Sequence, residues 1–205
     1  AEQVGQTRHP VTTQSLSTSP QSGRREDEPS AEGGYPADKL LFWNGFGGFA
    51  GAGKEYTVIV DSAGDWPDLP PAPWTNVIAN REGGCLVTEA GLGYTWSGNS
   101  QMNRLTPWSN DPVSDPPSEV VYLRDEETGE IWTPTPLPLG AAGRTTVHHG
   151  QGYTCYSVHN RQLRQELLVH VPPQDSIKLV TLKLHNEGDR ARRLTATYFV
   201  EWVLG

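Results

Sequence analysis

The residues best suited to ligand chemistry lie together in a polar, tryptophan-containing segment, residues 96–115. Sugar recognition requires planar apolar surfaces beside fixed hydrogen-bond donors and acceptors. An aromatic face provides such a surface, because it packs against the apolar C–H face of a pyranose ring. The segment contains both kinds of side chain, and we therefore predict a sugar-binding loop. Its six candidate contact residues are Trp96, Asn99, Arg104, Trp108, Asn110 and Asp111.

The same loop can also be interpreted as purely structural. In that interpretation Trp96 and Trp108 close the edge of a β-sandwich, and Arg104 pairs with Asp111. Arg104 could instead attract a phosphate group or bind a carboxylate through bidentate hydrogen bonds. The structural interpretation is at least as good for each single residue. The loop as a whole favours contact with a substrate cleft or a partner subunit.

The adjacent residues His148 and His149, followed by Gly150-Gln151-Gly152, raise the question of a metal site. Neighbouring residues of a strand point to opposite faces, so the two imidazoles make a poor chelate. No Cys or carboxylate cluster stands beside them at ligand spacing, and no metal is predicted. The glycines instead predict a turn whose backbone approaches another element closely, with substrate contact as a secondary hypothesis.

Three further patterns provide no catalytic or binding chemistry. The glycines of residues 45–48 follow no strand–helix–strand unit, so they are not a dinucleotide fingerprint. No G-x-S-x-G serine motif occurs. Residues 125–130 lack the spacing of a calcium loop and are predicted to form a solvated hairpin turn.

Composition limits the classes of partner. The 205-residue chain has a formal net charge of −8, and acidic neighbours dilute its basic cluster at residues 190–193, which we interpret as a solvated turn. No nucleic-acid partner is therefore predicted. Cys85 and Cys155 show neither disulfide-framework nor metal-site spacing. We expect two buried thiols in a reducing compartment, with a disulfide between them as the alternative.

The sequence predicts a tail followed by an all-β domain. Residues 1–36 contain few bulky apolar side chains, which indicates a disordered tail or linker. Residues 37–205 alternate short β-branched or aromatic runs with Gly- and Pro-rich turns, and no long helical period occurs. This pattern favours an antiparallel β-sandwich. No secretory signal or membrane-spanning run is found, so a cytoplasmic segment without membrane contact is expected.

Period-2 alternation assigns faces to the last strands. Residues 177–185 should point Val180, Leu182 and Leu184 inward, and residues 194–200 should return beside them after a turn at residues 186–189. Because the chain ends in an apolar strand, we expect it to be a fragment of a longer protein.

Several ordered motifs resemble one family. YTWSGNS at 94–100, NRLTPWSNDPVSDPP at 103–117 and YLRDEETGEIW at 122–132 resemble the amino-terminal region of cyclic β-1,2-glucan synthases. HGQGYT at 149–154 resembles a segment shared with cellobiose and chitobiose phosphorylases, and YFVEWVLG at 198–205 is similar to a strand of the synthases. Over residues 40–205 the chain thus resembles the cellobiose phosphorylase and cyclic β-1,2-glucan synthase family, glycoside hydrolase family 94.

The resemblance implies a galactose mutarotase-like antiparallel super-sandwich that precedes a helical linker and an (α/α)6 barrel. In that family the barrel carries the general-acid Asp of an inverting phosphorolysis, with inorganic phosphate as co-substrate and no cofactor. We therefore assign no catalytic residue within this chain, and Asp111, Asp115 and Glu119 are not interpreted as acid and base.

Three hypotheses follow from the resemblance. The first is a non-catalytic domain that shapes a β-1,2-glucan cleft beside the downstream barrel, for phosphorolysis or for chain-length control. The second is an autonomous β-glucan-binding module. The third is a structural domain that supports the barrel or a homodimer. The expected partners are thus a β-glucan oligosaccharide, the barrel and a second copy, in a parent that is cytoplasmic or anchored in a bacterial inner membrane.

Overall fold

A computed structural model describes residues 37–62, 66–140 and 143–203 of the chain. Within these ranges the protein forms β-strands, two single-turn 3-10 helices (Ala37–Lys39 and Gly51–Gly53) and no α-helix. The predicted all-β class is therefore confirmed. The predicted tail, residues 1–36, lies outside the described residues. The strands are β1 Gly47–Ala50, β2 Glu55–Ser62, β3 Asn76–Ala79, β4 Gly83–Val87, β5 Leu92–Ser97, β6 Glu119–Asp125, β7 Ile131–Trp132, β8 Gly143–Gly150, β9 Tyr153–Asn160, β10 Leu163–His170, β11 Leu179–Asn186 and β12 Leu194–Val200.

The strands form two antiparallel sheets that enclose the core. Sheet 1 has the order β1-β2-β8-β9-β10-β11, and sheet 2 has the order β12-β6-β5-β4-β3 with β7 paired to β6. Alternate residues of strands in both sheets are buried, as the period-2 pattern predicts. The largest core cluster comprises Val58, Val60, Ile78, Cys85, Val87, Leu92, Val121, Val147, Tyr156, Leu167, Val169 and Val171.

One predicted strand pairing is wrong. Strand β12 does not return beside β11 but pairs with β6 of sheet 2, where Leu194 lies opposite Asp125. Strand β11 is therefore an edge strand. Val180 and Leu182 point inward as predicted and pack, half-buried, against the core, whereas Leu184 is 37% exposed at this edge.

A buried carboxylate explains where β12 goes, and it refines two further predictions. Residues 126–130 form the predicted hairpin turn between β6 and β7 and are mostly exposed, but Asp125 at the start of the turn is fully buried. Its Oδ2 accepts hydrogen bonds from Arg192 Nη2 at 2.7 Å and Arg190 Nη2 at 3.2 Å, and its Oδ1 accepts the backbone N–H of Glu127 at 2.9 Å. In the basic cluster at residues 190–193, Arg190 and Arg193 are exposed as predicted, whereas the Arg192 side chain is only 8% exposed. These contacts hold the segment before β12 against sheet 2.

A bulge in sheet 2 positions the predicted loop. The β4–β5 pairing shifts register at Leu86, because Gly93 is an extra residue in β5. A side chain at Gly93 would collide with the Leu86 carbonyl oxygen. Leu92 consequently joins the core, whereas Tyr94 lies outside the core cluster and packs against Trp108.

Both cysteines are free thiols, which confirms the expectation that no disulfide joins them. Cys85 is fully buried in the core, and burial raises its pKa to about 11. Cys155 is half-buried rather than buried, because it lies on the other face of β9 from the core residue Tyr156.

Candidate functional site

The loop after β5 folds back onto the strand from which it leaves. Arg104 forms a β-bridge with Trp96. The backbone N–H of Ser97 donates to the carbonyl of Asn103 at 3.1 Å, and that of Leu105 donates to the carbonyl of Thr95 at 2.9 Å. The start of the loop is therefore fixed by main-chain hydrogen bonds.

Three aromatic rings form a stack along this loop. The Trp108 ring lies parallel to Tyr94, with 5.1 Å between centroids and 9° between planes, and Tyr94 contacts Trp96 at 5.2 Å. Tyr94 and Trp96 are 6% and 9% exposed, whereas Trp108 is 40% exposed. Trp108 is thus the ring that can present a face to a ligand, and Tyr94, which in turn contacts Trp96, supports its other face.

The remaining predicted residues have different local roles. Asn99 Oδ1 accepts the backbone N–H groups of Gln101 and Met102, each at 2.9 Å. Asp111 accepts hydrogen bonds from the Ser114 hydroxyl at Oδ2 and from the backbone N–H of Val113 at Oδ1, 2.9 Å away, and the Ser114 bond followed by the Val113 bond lowers the Asp111 pKa. Both side chains therefore stabilise turns.

Arg104 is half-buried, and Asn110 is exposed with a left-handed φ of 51°. Among the described residues Arg104 forms no ion pair with Asp111, so that part of the structural alternative is not observed. The loop brings Arg104 beside Trp96 through the β-bridge. A sugar-binding role for all six residues stays a prediction.

The neighbouring carboxylates have structural partners. Thr88 Oγ1 donates to Asp115 Oδ2 at 2.6 Å. Glu119 is 3% exposed, and its carboxylate binds Lys178, Thr95 and Tyr198 between the two sheets. Burial opposes ionisation of Glu119, but Lys178 and the hydrogen bonds outweigh it and lower the pKa of the carboxyl.

A groove that sequence reasoning missed opens at the end of the sandwich where β8 turns into β9. Its volume is about 570 Å³. It is lined by the turn after β1, by the start of β2, by the segment leading into β3 and by the β8–β9 turn. The side chains that line it include Phe49, Tyr56, Trp74, Asn76, His149 and Gln151.

The aromatic part of the groove is held in place by edge-to-face contacts. Tyr56 lies 5.0 Å from Phe49 and 5.5 Å from Trp74 between ring centroids, and both pairs are nearly perpendicular. Gly47 makes room for them, because a Cβ there would lie 3.0 Å from Tyr56 and 3.1 Å from Trp74. The rings therefore form a surface that exists without a ligand.

The polar part of the groove joins the two sheets. Asn76 Nδ2 donates to the carbonyl oxygens of Gly150 at 3.0 Å and Tyr153 at 2.9 Å, and to Thr154 Oγ1 at 2.9 Å. Thr154 Oγ1 also lies 2.9 Å from His149 Nδ1. This network confirms that the turn at Gly150 and Gly152 is approached closely by another element.

His149 supports the groove from beneath. Its Nε2 is buried and has no well-aligned hydrogen-bond partner among the described residues. Burial lowers the pKa of His149 to about 4, helped by neighbouring His148 and partly opposed by the backbone of Trp74. His149 is therefore neutral at physiological pH. No group of three or more His, Cys, Asp or Glu side chains suited to a metal occurs within the described ranges.

A second buried ionisable group positions Trp74. Glu89 is 1% exposed, and its Oε2 accepts the Trp74 backbone N–H at 2.7 Å. Burial raises the pKa of Glu89 to about 7, although its hydrogen bonds oppose the shift. The groove thus lies beside two groups, Glu89 and His149, whose environment favours their neutral forms.

The described part of the chain contains no helix that is long and apolar enough to cross a membrane.

The chain is similar to parts of several carbohydrate-active enzymes. The model of the family described as glycosyl hydrolase 94, supersandwich domain, matches residues 55–205. Cyclic beta-(1,2)-glucan synthase NdvB of Rhizobium meliloti (strain 1021) is 38% identical over 167 residues, which are 81% of this chain and 6% of the synthase. N,N'-diacetylchitobiose phosphorylase of Vibrio proteolyticus is 24% identical over 160 residues, which are 77% of this chain and 19% of the phosphorylase. The chain therefore spans only a small part of the length of these relatives.

Proposed function

Because the chain belongs to the glycosyl hydrolase 94 supersandwich domain family, we propose that it is a non-catalytic domain that contacts β-glucan through the loop carrying Trp108. The resemblance predicted from the sequence motifs is confirmed by this membership. The observation that carries the proposal is the Trp108 ring, stacked on Tyr94 and 40% exposed. A flat, supported aromatic face is the surface on which a pyranose ring packs.

The chemistry of the proposed parent enzyme lies outside this chain. In the proposal an (α/α)6 barrel supplies the catalytic acid, inorganic phosphate is the co-substrate, and no cofactor takes part. Asp115 and Glu119 support this division of labour, because Thr88 and Lys178 already bind their carboxylates. The β-1,2 linkage of the glucan, the homodimer and a cytoplasmic location are part of the same proposal.

The proposal is tested by isothermal titration of the chain with β-1,2-linked glucooligosaccharides of the sophorose series. We expect Trp108→Ala to weaken binding roughly three- to tenfold, because one stacking contact is removed. Trp66→Ala is the matched control, since Trp66 is 76% exposed and lies outside the loop. Equal affinities for the unmodified chain and Trp108→Ala, at equal melting temperatures, would contradict the proposal.

The open side of the sandwich supports a second candidate function, packing against the barrel or against another copy. On this side the edge strands β11 and β12 leave apolar side chains uncovered. Leu184 is 37% exposed, Tyr198 46% and Phe199 47%. Sedimentation velocity over a wide concentration range tests the second copy, and a monomer at every concentration would contradict that version.

A further inference from the structure

We propose that the groove between Trp74 and the β8–β9 turn is a second binding site, specific for a short neutral oligosaccharide. The groove shares no lining residue with the Trp108 loop. The surface of the groove itself indicates the class of ligand. The inference rests on the proposed function only for the β-1,2-linked sugar used as the probe.

The size and rigidity of the groove suit a small ligand. Its volume of about 570 Å³ lies in the range typical of small-molecule sites, roughly 300–1,000 Å³. Phe49 is 40% exposed and Trp74 half-buried, and both are fixed against Tyr56. A ligand therefore meets aromatic surface that is already ordered, so little free energy is lost in arranging the side chains.

Asn76 adds an oriented polar group to this surface. Gly150 and Tyr153 offer carbonyl oxygens, which only accept, so the amide nitrogen of Asn76 must face them. The Oδ1 atom is thereby turned away from these carbonyls, and it accepts no hydrogen bond from the described residues. A sugar hydroxyl could donate to this oxygen while the ring packs on Trp74, which lines the same groove.

The charges at the rim favour a neutral ligand. Lys54 and Glu55 line the groove side by side, and no Arg lines it. Glu55 is already engaged, because it accepts a hydrogen bond from the Tyr153 hydroxyl and lies 3.5 Å from His148. Phosphate and carboxylate ligands generally require two-pronged Arg contacts or clustered cations. The balanced rim and the aromatic walls therefore select an uncharged, hydroxyl-rich ring.

The test uses two-dimensional NMR of the seven Trp indole N–H groups of the chain, assigned with single Trp→Phe variants. The probes are a β-1,2-linked glucose trisaccharide and, separately, inorganic phosphate. We expect the trisaccharide to shift the Trp74 indole signal and phosphate to leave it unchanged. Phe49→Ala and Gln151→Ala, both at exposed rim positions, should each weaken the response at least threefold.

The outcomes separate this inference from the proposed function. Trp108→Ala should remove only the response at the loop and leave the Trp74 shift intact. If Trp108→Ala abolished every response, or if the Trp74 signal never moved, the groove site would be refuted. A Trp74 shift caused by phosphate alone would also refute it. If Phe49→Ala fails to fold, Gln151→Ala and the unmodified chain still decide the question.

Discussion

Two polar regions lie at opposite ends of strand β9, and they are built in opposite ways. The strand has eight extended residues, so the regions are roughly 23 Å apart. At its Tyr153 end lie the aromatic groove and the network of Asn76, Thr154 and His149. At its Asn160 end lies the cluster in which Asp125 binds the side chains of Arg190 and Arg192.

The pKa shifts at the two ends differ in direction. Beside the groove, burial moves Glu89 and His149 toward their neutral forms. At the other end, hydrogen bonds from Arg192 and the backbone hold the pKa of Asp125 at about 2, so its charged form is favoured. The charged groups around Asp125 already bind one another within the protein, whereas the groove has polar groups that can still bind a ligand. The contrast separates a structural anchor from a candidate site.

The largest effect is expected when the anchor is broken. Asp125→Ala leaves the buried Arg192 without its carboxylate, and loss of one partner from a buried pair is strongly destabilising. We expect the melting temperature to fall by about 10 °C. Calorimetry measures this change.

The matched control for that experiment is Glu127→Ala. Glu127 also binds Arg190, but both side chains are about half exposed, so the melting temperature should change by no more than about 2 °C. Because the Asp125 pKa is depressed from 3.8 to about 2, its contribution should be present above pH 4 and lost as the pH falls toward 2. Equal effects of the two substitutions would remove the distinction between a buried anchor and a surface pair.

A smaller effect is expected at the ion pair between the sheets. Lys178→Met leaves Glu119 buried without its cation, which should lower the free energy of unfolding by about 3 kcal/mol. Adding Glu119→Gln to that variant should restore at least half of the loss, because no buried charge then remains. Urea unfolding of the two variants tests this. Purely additive losses of unfolding free energy would show that Lys178 and Glu119 do not act as a coupled pair.

The smallest effect is expected beside the groove, and it has the opposite sign. Glu89 has a folded pKa of about 7 against an ordinary 4.5. The unfolded chain therefore releases its proton first, and stability falls as the pH rises from about 4.5 to 7. Glu89→Gln keeps an acceptor for Trp74 and removes the charge. It should stabilise the protein by about 2–3 kcal/mol at pH 8 and by almost nothing at pH 4. A gain of equal size at both pH values would contradict this explanation.

Sequence reasoning works where one local pattern decides the structure. Leu163, Leu167 and Val169 occupy alternate positions of β10, and all three are buried. The same face also buries Gln165, whose Oε1 accepts the Trp132 indole N–H at 2.8 Å. Alternation gives the direction of a side chain but not its partner, so a buried glutamine could not be predicted.

The failures concern contacts between segments that are distant in the sequence. The pairing of β12 with β6 depends on the contact between Asp125 and Arg192, and the sequence does not indicate which carboxylate pairs with which arginine. The groove is similarly assembled from separate segments, so Trp74 gave no signal beyond its aromatic character. The HGQGYT motif marked one wall of the groove, but its adjacent histidines pointed only to a poor chelate. Trp108 could be proposed as a contact residue because its loop is continuous in sequence, and that role stays a prediction.

The pairing of β12 with β6 also affects the entropy that is lost when the loops between paired strands close. Only Arg161 and Gln162 connect β9 to β10, whereas residues 126–193 separate Asp125 from its partner Leu194. Since the entropy lost on loop closure grows with the logarithm of loop length, the longer closure costs about 3 kcal/mol more. The Arg192 guanidinium therefore stabilises the pairing of two strands that are far apart in sequence. Its hydrogen bonds offset part of the entropy lost on closing the long loop.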